Sequence, residues 1–324
     1  MAGKPWADAT TEVVGVFKLW GKRTLPPGYF SIGVHDDGVS LVAADRQRTP
    51  AAAVSAWEFR PYADDMPVEK VLAGLAADYH LHSAHCTTYL EPSDYRLLVA
   101  DAPELPENEL ADAMRWRIKD VVDFDINEAV VDVFSFPNQD GKRENQPVYV
   151  VAAKHAALEK RIQLMEEADI NLEVIDIPEL ALRNVASLAH PQSRGVALLS
   201  FAPHYGLITL TQQDVLYMSR TLNVGLQELR EAKERASLLE RIVLEVQRSL
   251  DYYVSHLHQA PVEKLLVTAL TDDFPGIGQY FSEQLGMPVE ILHLENLAQW
   301  NSLPPADMEM RFVTTFGAAL RRGN

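Results

Sequence analysis

Two stretches constrain this chain more than anything else in it, because each alternates short apolar runs with tight polar turns. One lies mid-chain, GVALLSFAPHYGLITLTQQDVLYMSRTLNVG, from Gly195 to Gly225. Its apolar runs are Val196–Phe201, Leu207–Leu210 and Val215–Met218, and Gly206 and Thr211-Gln212-Gln213 supply the turns. That pattern reads as a β-meander. A similar stretch, YFSIGVHDDGVSLVAAD, surrounds Asp36-Asp37-Gly38 near the N-terminus. Each is followed by a helical region. A meander-and-helix pattern that occurs twice predicts a duplicated, two-lobed α/β protein.

A length of 324 residues gives two lobes room for ample cores. The net charge of −17 argues against a general nucleic-acid role, since phosphate binding needs a basic footprint. No apolar run approaches the ~18 residues of a membrane span, and the N-terminus lacks the apolar core of a cleavable signal. The single cysteine, Cys86, cannot form an internal disulfide, so a reducing cytoplasm is the expected compartment.

Residues 1–27 read as a tail. Within it, Val13–Arg23 sets Phe17, Leu19 and Trp20 beside Lys18, Lys22 and Arg23. One reading of Phe17–Arg23 is a membrane-surface segment with its apolar residues in the interface. The other is a linker that packs on the first lobe.

The first lobe is expected over 28–194. Asp65–Tyr79 reads as a helix with Val68, Val71, Leu72 and Leu75 on one face. His80, His82, His85 and Cys86 follow, and imidazole and thiolate are the usual zinc ligands. On a strand, His80 and His82 would share a face. The plainer reading places these residues at a strand edge or a lobe boundary, binding nothing, and no metal is expected. Residues 94–155 form a strand–helix–strand–strand unit that reads as a small insertion. Its helix, Glu107 to about Val122, buries Leu110, Met114, Ile118 and Val121. Trp116 lies off that stripe between Arg115 and Arg117, with Lys119 nearby. Such an aromatic either anchors a partner or packs on a neighbouring lobe.

The second lobe is expected over 195–310, with one long amphipathic helix from Glu228 to His258. A C-terminal helix, 311–324, returns to the first lobe, and its Gly317 and Ala318 permit close packing.

Five segments in order carry a family resemblance. They are ELPENELADAMRWRIKDVVDFDINEAVVDVF (Glu104–Phe134), DIPELALRN (Asp176–Asn184), LEVQRSLDYY (Leu244–Tyr253), PGIGQYFSEQLGMPVE (Pro275–Glu290) and FGAALR (Phe316–Arg321). The chain from about Phe30 to Arg321 resembles the PilM family of type IV pilus machines, and within it most closely the MshI branch of the MSHA pilus. The resemblance implies an actin-like two-lobed fold, with two mixed sheets flanked by helices and 94–155 as the small αβ insertion of the first lobe. It also implies docking onto the short cytoplasmic tail of a PilN-like bitopic inner-membrane protein. Other assembly-platform proteins are further implied partners, and the implied location is the cytoplasmic side of the bacterial inner membrane.

Three loops hold nucleotide in this fold, using small residues for close backbone approach and acids to hold Mg²⁺. The family's first loop reads roughly GIDIGSSSVK. Here it is SIGVHDDGVS, with Gly33 for the acid, His35 for the glycine and Ser40 for the lysine. The second reads roughly VDIGA. Here it is LSFAP, with Ser200 for the acid and Ala202 for the glycine. The third, purine-facing loop reads roughly LAGGGALLPG. Here it is VTALTDDFPG, with Ala269-Leu270 for the paired glycines. Asp36, Asp37, Asp272 and Asp273 lie nearby and read as solvated turn residues. The expected function is a non-enzymatic scaffold without a cofactor. The alternative is an ATP-binding or weakly hydrolysing relative with replaced ligands. In the scaffold, His35, Phe201 and Leu270 are expected to fill the nucleotide's space, and Trp116, Arg115, Arg117 and Lys119 to meet the partner.

Overall fold

The computed structural model describes residues 29–45, 52–136, 147–190, 194–270 and 274–321. The segment Phe17–Arg23, residues 137–146 and Asp272-Asp273 lie outside them.

The first meander is β1 (Tyr29–Val34), β2 (Gly38–Asp45) and β3 (Ala52–Pro61). Pro67 starts α1 (Val68–Tyr79), which buries Val71, Leu72, Leu75 and Ala76 at helical spacing. His80, in the left-handed region at φ 54°, ends it. Strand β4 (Cys86–Tyr89) follows. The insertion comprises β5 (Tyr95–Asp101), α2 (Glu107–Ile118), β6 (Ala129–Ser135) and β7 (Pro147–Lys154). Helix α3 (His155–Glu167), β8 (Leu172–Asp176) and α4 (Pro178–Ala189) complete the first half.

The second meander is β9 (Val196–Phe201), β10 (Gly206–Gln212) and β11 (Val215–Leu222). Then come α5 (Leu226–Glu231), α6 (Arg235–Ser255), β12 (Lys264–Thr268), α7 (Ile277–Leu285) and β13 (Val289–Leu292). Strand β14 (Ala298–Trp300) and α8 (Glu309–Ala319) close the chain.

The strands form two main sheets, ordered β14-β3-β2-β1-β4-β8 and β11-β10-β9-β12-β13, and a small one, β5-β7-β6. Each main sheet joins an antiparallel meander to parallel strands. Helices α4 and α8 lie between them, in one core with Val42 and Val54 of the first sheet and Leu198 and Leu207 of the second. Their backbones nearly touch. A Cβ on Gly317 would come 2.2 Å from the Ala181 carbonyl oxygen, so only glycine fits there. Helices α1 and α3 cover the outer face of the first sheet, and α5, α6 and α7 that of the second.

Four sequence expectations are corrected. The helix expected over 228–258 is two helices, because Ala232 takes extended angles (φ −62°, ψ 125°) after α5. Helix α2 stops at Ile118, so Val121 lies in the following turn, 65% exposed, and not on the buried stripe. His80 and His82 share no strand face, for they lie in the cap of α1 and the turn after it. Residues 298–300, read with the second lobe, pair in parallel with Ala52–Val54 and extend the first sheet.

Candidate functional site

The candidate site is the cleft between the β1–β2 and β9–β10 turns, where the resemblance places nucleotide. Strand β1 turns its Gly33 towards α8, and β2 returns with Ser40 directly opposite. A Cβ on Gly33 would meet the Tyr89 hydroxyl at 2.3 Å, Ser40 Oγ at 2.5 Å and Thr315 Oγ1 at 2.7 Å. No side chain fits there, least of all the acid that a metal-bound phosphate requires.

The three hydroxyls belong to a buried polar chain. His35 Nε2 lies 2.7 Å from Ser40 Oγ, Ser40 Oγ 2.6 Å from Thr315 Oγ1, and the Tyr89 hydroxyl 3.1 Å from Thr315 Oγ1. Burial, and next the Arg311 charge, push the His35 imidazole down to about 4. At neutral pH it is uncharged and carries one N–H. Position 35, a glycine in the family's loop, therefore holds a neutral ring against the β2 hydroxyl.

The turn aspartates are engaged, not simply solvated. Asp37 accepts from Arg311 of α8 at 2.6 Å, and that bond holds its carboxyl below the usual range. Asp36 Oδ2 lies 3.2 Å from His204 Nε2 in the β9–β10 turn. Arg161 of α3 donates to Thr88 Oγ1 at 3.2 Å and supports the charge of Glu91, whose carboxyl burial pushes up overall.

On the second-lobe side, Ser200 is buried and the Phe201 N–H donates to Thr268 Oγ1 at 3.4 Å. Ala202 N–H closes the turn onto the Tyr205 carbonyl at 2.8 Å. The first N–H groups of α5 are consumed by the same turn, Leu226 donating to Ala202 and Gln227 to Pro203. These are the donors that a helix start would offer to phosphate. Ala269 is buried, with its N–H on Leu292. Arg235 stacks over the Phe274 ring at 4.9 Å beside the third loop.

Of the three residues expected in the nucleotide's space, His35 lies against Ser40 at the β1–β2 turn. Phe201 packs in the core under α5 and α6, and Leu270 packs against that same core. Tyr89 and Thr315 take the space beside Gly33, and the 204–205 turn faces Asp36 and Glu91. The one sequence signal for them was a bulky pair, His204-Tyr205, directly after the second loop.

The remaining candidates lie elsewhere. Trp116 is 61% exposed on α2. Arg115 is committed inward, donating to the carbonyls of Ile126 (3.2 Å) and Ala129 (2.7 Å). Arg117 is exposed and donates to the Asp101 carbonyl, while Lys119 is exposed at the end of α2. His85 Nδ1 pairs with Glu173 at 2.6 Å, and burial pushes the Cys86 thiol up to about 12. Among the described residues, no group of three or more His, Cys, Asp or Glu side chains could hold a metal. Among them too, no helix is long and apolar enough to cross a membrane.

In three dimensions the chain is similar to a chain of the PilM–PilN type IV pilus biogenesis complex. The TM-score is 0.73 at 18% identity, covering 90% of this chain and 97% of that one. It is also similar to the cytoplasmic domain of EpsL, an inner membrane component of the type II secretion system of Vibrio cholerae. There the TM-score is 0.52 at 10% identity, covering 92% and 97%. No protein-family model and no curated protein matches in sequence. The fold is actin-like, a mixed α/β architecture of several sheets flanked by helices.

Proposed function

We propose that this protein is a non-enzymatic scaffold of a type IV pilus assembly platform of the MSHA kind. It docks the short cytoplasmic tail of a PilN-like bitopic inner-membrane protein and sits at the membrane through that partner. Other platform proteins meet it there, and Phe17–Arg23 is available as a peripheral membrane contact. The observation that carries the non-enzymatic reading is the filled position at Gly33, where three buried hydroxyls leave no space for a metal-holding acid. A triphosphate beside Asp36, Asp37 and Glu91 would gather like charge without a bound cation. A fold shared with a chain of the PilM–PilN complex supports the choice of partner class.

The exposed face of α2 is the proposed docking surface. Trp116 supplies the apolar anchor and Lys119 and Arg117 the charge, whereas Arg115 serves the insertion itself. An extended tail would bind in a groove or by strand addition, with one or two side chains in pockets.

Calorimetric titration of the full chain tests both halves. A peptide of the partner's cytoplasmic tail is expected to bind, and Mg–ATP is expected to give no heat of binding. Micromolar Mg–ATP binding would replace this reading with that of a nucleotide-binding relative. Failure of the tail peptide to bind would remove the docking role.

A further inference from the structure

We infer that the two lobes of this protein are tied into one closed arrangement by contacts of their own across the cleft, with no ligand between them. The inference extends the scaffold reading of the cleft to its mechanics.

The tie begins with a rigid turn. Residues 202–205 are clamped by α5 through the bonds of Leu226 and Gln227, and Gly225 lies against them so closely that a Cβ would come 2.3 Å from the Pro203 carbonyl oxygen. Glu228 Oε2 accepts from the Gly225 N–H at 2.8 Å, so the start of α5 is fixed as well. This turn carries His204 and Tyr205 across to the first lobe.

His204 stands between two carboxylates. Its Nε2 lies 3.2 Å from Asp36 of the first lobe and its Nδ1 3.9 Å from Glu228 of the second. Tyr205 reaches deeper, close enough to Glu91 for each to act on the other's charge, with its ring against the core shared by both sheets. The first-lobe side is braced in turn. Arg311 of α8 holds Asp37, next to Asp36, and Arg161 supports Glu91. Leu216 of β11 is also buried with Phe134, Phe136 and Tyr149 of the insertion. These contacts add to the core that α4 and α8 share with both sheets, so the lobes meet at the cleft mouth and at the insertion as well as at that core. A ligand with equal affinity for open and closed forms shifts nothing, and a cleft already closed leaves a ligand little to shift.

The test is a distance measurement between spin labels on the full chain, at Glu69→Cys on α1 and Glu283→Cys on α7. Both positions are exposed, and the buried Cys86 thiol stays unlabelled. One narrow distance population is expected, unchanged by millimolar Mg–ATP. Adding His204→Ala with Tyr205→Phe, which removes one imidazole and one hydroxyl, should add a longer-distance population, with the circular dichroism spectrum unchanged. A broad distribution that narrows only with Mg–ATP would overturn the inference. So would an unchanged narrow distribution in the His204→Ala/Tyr205→Phe protein. Tail-peptide binding measured on the same labelled samples reports separately on docking, so a failed docking role and a failed tie give different results.

Discussion

Substituting Gly33 with alanine adds one methyl group where the structure has no room for it. The group would sit 2.3 Å from the Tyr89 hydroxyl, 2.5 Å from Ser40 Oγ and 2.7 Å from Thr315 Oγ1. Tyr89, Ser40 and Thr315 are all buried, at 3%, 0% and 0% exposure, so none can swing into solvent. Overpacking of this kind costs about 1–3 kcal/mol. Pushing the hydroxyls apart also breaks the 2.6 Å and 3.1 Å bonds of the chain, at about 1 kcal/mol each. Restricting the unfolded chain returns about 0.5–1 kcal/mol. The net expectation is a loss of about 2–4 kcal/mol. An unfolding entropy of about 2 cal/mol/K per residue gives roughly 0.7 kcal/mol/K for 324 residues, so Tm should fall by about 3–6 °C. Thermal melts followed by circular dichroism measure this. Gly33→Ala with Tyr89→Phe removes the nearest obstacle and should recover part of the loss. Gly33→Asp restores the family's acid, yet it should fall further in Tm and gain no Mg–ATP binding. A Gly33→Ala protein that melts within about 1 °C of the parent would refute the account of a filled site.

Trp116→Ala should weaken tail-peptide binding by about 2 kcal/mol, roughly thirtyfold in Kd, and leave Tm nearly unchanged. A large fall in Tm would instead make the ring structural. Arg321→Met strands the fully buried Asp176, which its guanidinium contacts at 2.9 Å, and should cost about 3–5 kcal/mol in urea unfolding. Adding Asp176→Asn should return part of that loss, and no return would mean that Arg321 acts through packing. Between pH 4.5 and 6.5 two buried groups oppose each other. Folded His35 refuses a proton until about pH 4 while the unfolded chain takes one below 6.5, so its contribution, at most about 3 kcal/mol, is full above pH 6.5 and lost as pH falls towards 4. Burial raises Glu179 to about 7, so its contribution is full below pH 4.5 and lost as pH rises through 7. The parent's urea midpoint should therefore change little across that window, and Glu179→Gln should uncover a rise with pH. A flat profile in Glu179→Gln would contradict the assignment of His35.

Both meanders were legible because a half-buried strand prints its alternation on the sequence, and Gly206 and Gly38 mark turns. The end of α2 was not, since Lys119-Asp120-Val121-Val122 continues a helical pattern past Ile118. Nor was the break at Ala232, since REAKERAS contains neither glycine nor proline. That break comes from tertiary structure, with α5 held on the 202–203 turn and Arg235 Nε donating to the Leu229 carbonyl. Strand β14 is three residues that pair through backbone alone, so no periodicity announces it. At the site, the departures from the nucleotide loops could be read directly from Gly33, His35, Ser40, Ser200 and Ala202. What packs around Gly33 could not. Thr315 meets Ser40 across 275 positions of sequence and Tyr89 across 226, and no local pattern reports such a meeting.

The late arrival of β14 and α8 also sets an order of assembly. During synthesis every strand of the first sheet but one emerges before the second lobe begins, yet the outer neighbour of β3 and the helix that covers Gly33 come last. Until then β3 has an open row of backbone groups at its edge, and Val42 and Val54 lack Phe312 and Phe316 above them. Such a nascent half carries the two hazards of aggregation, a bare strand edge and an uncovered apolar face. A fragment ending before Gly195 would keep both permanently. The first sheet is therefore completed only when β14 and α8 reach the strands β1–β3 that precede them by more than 230 residues.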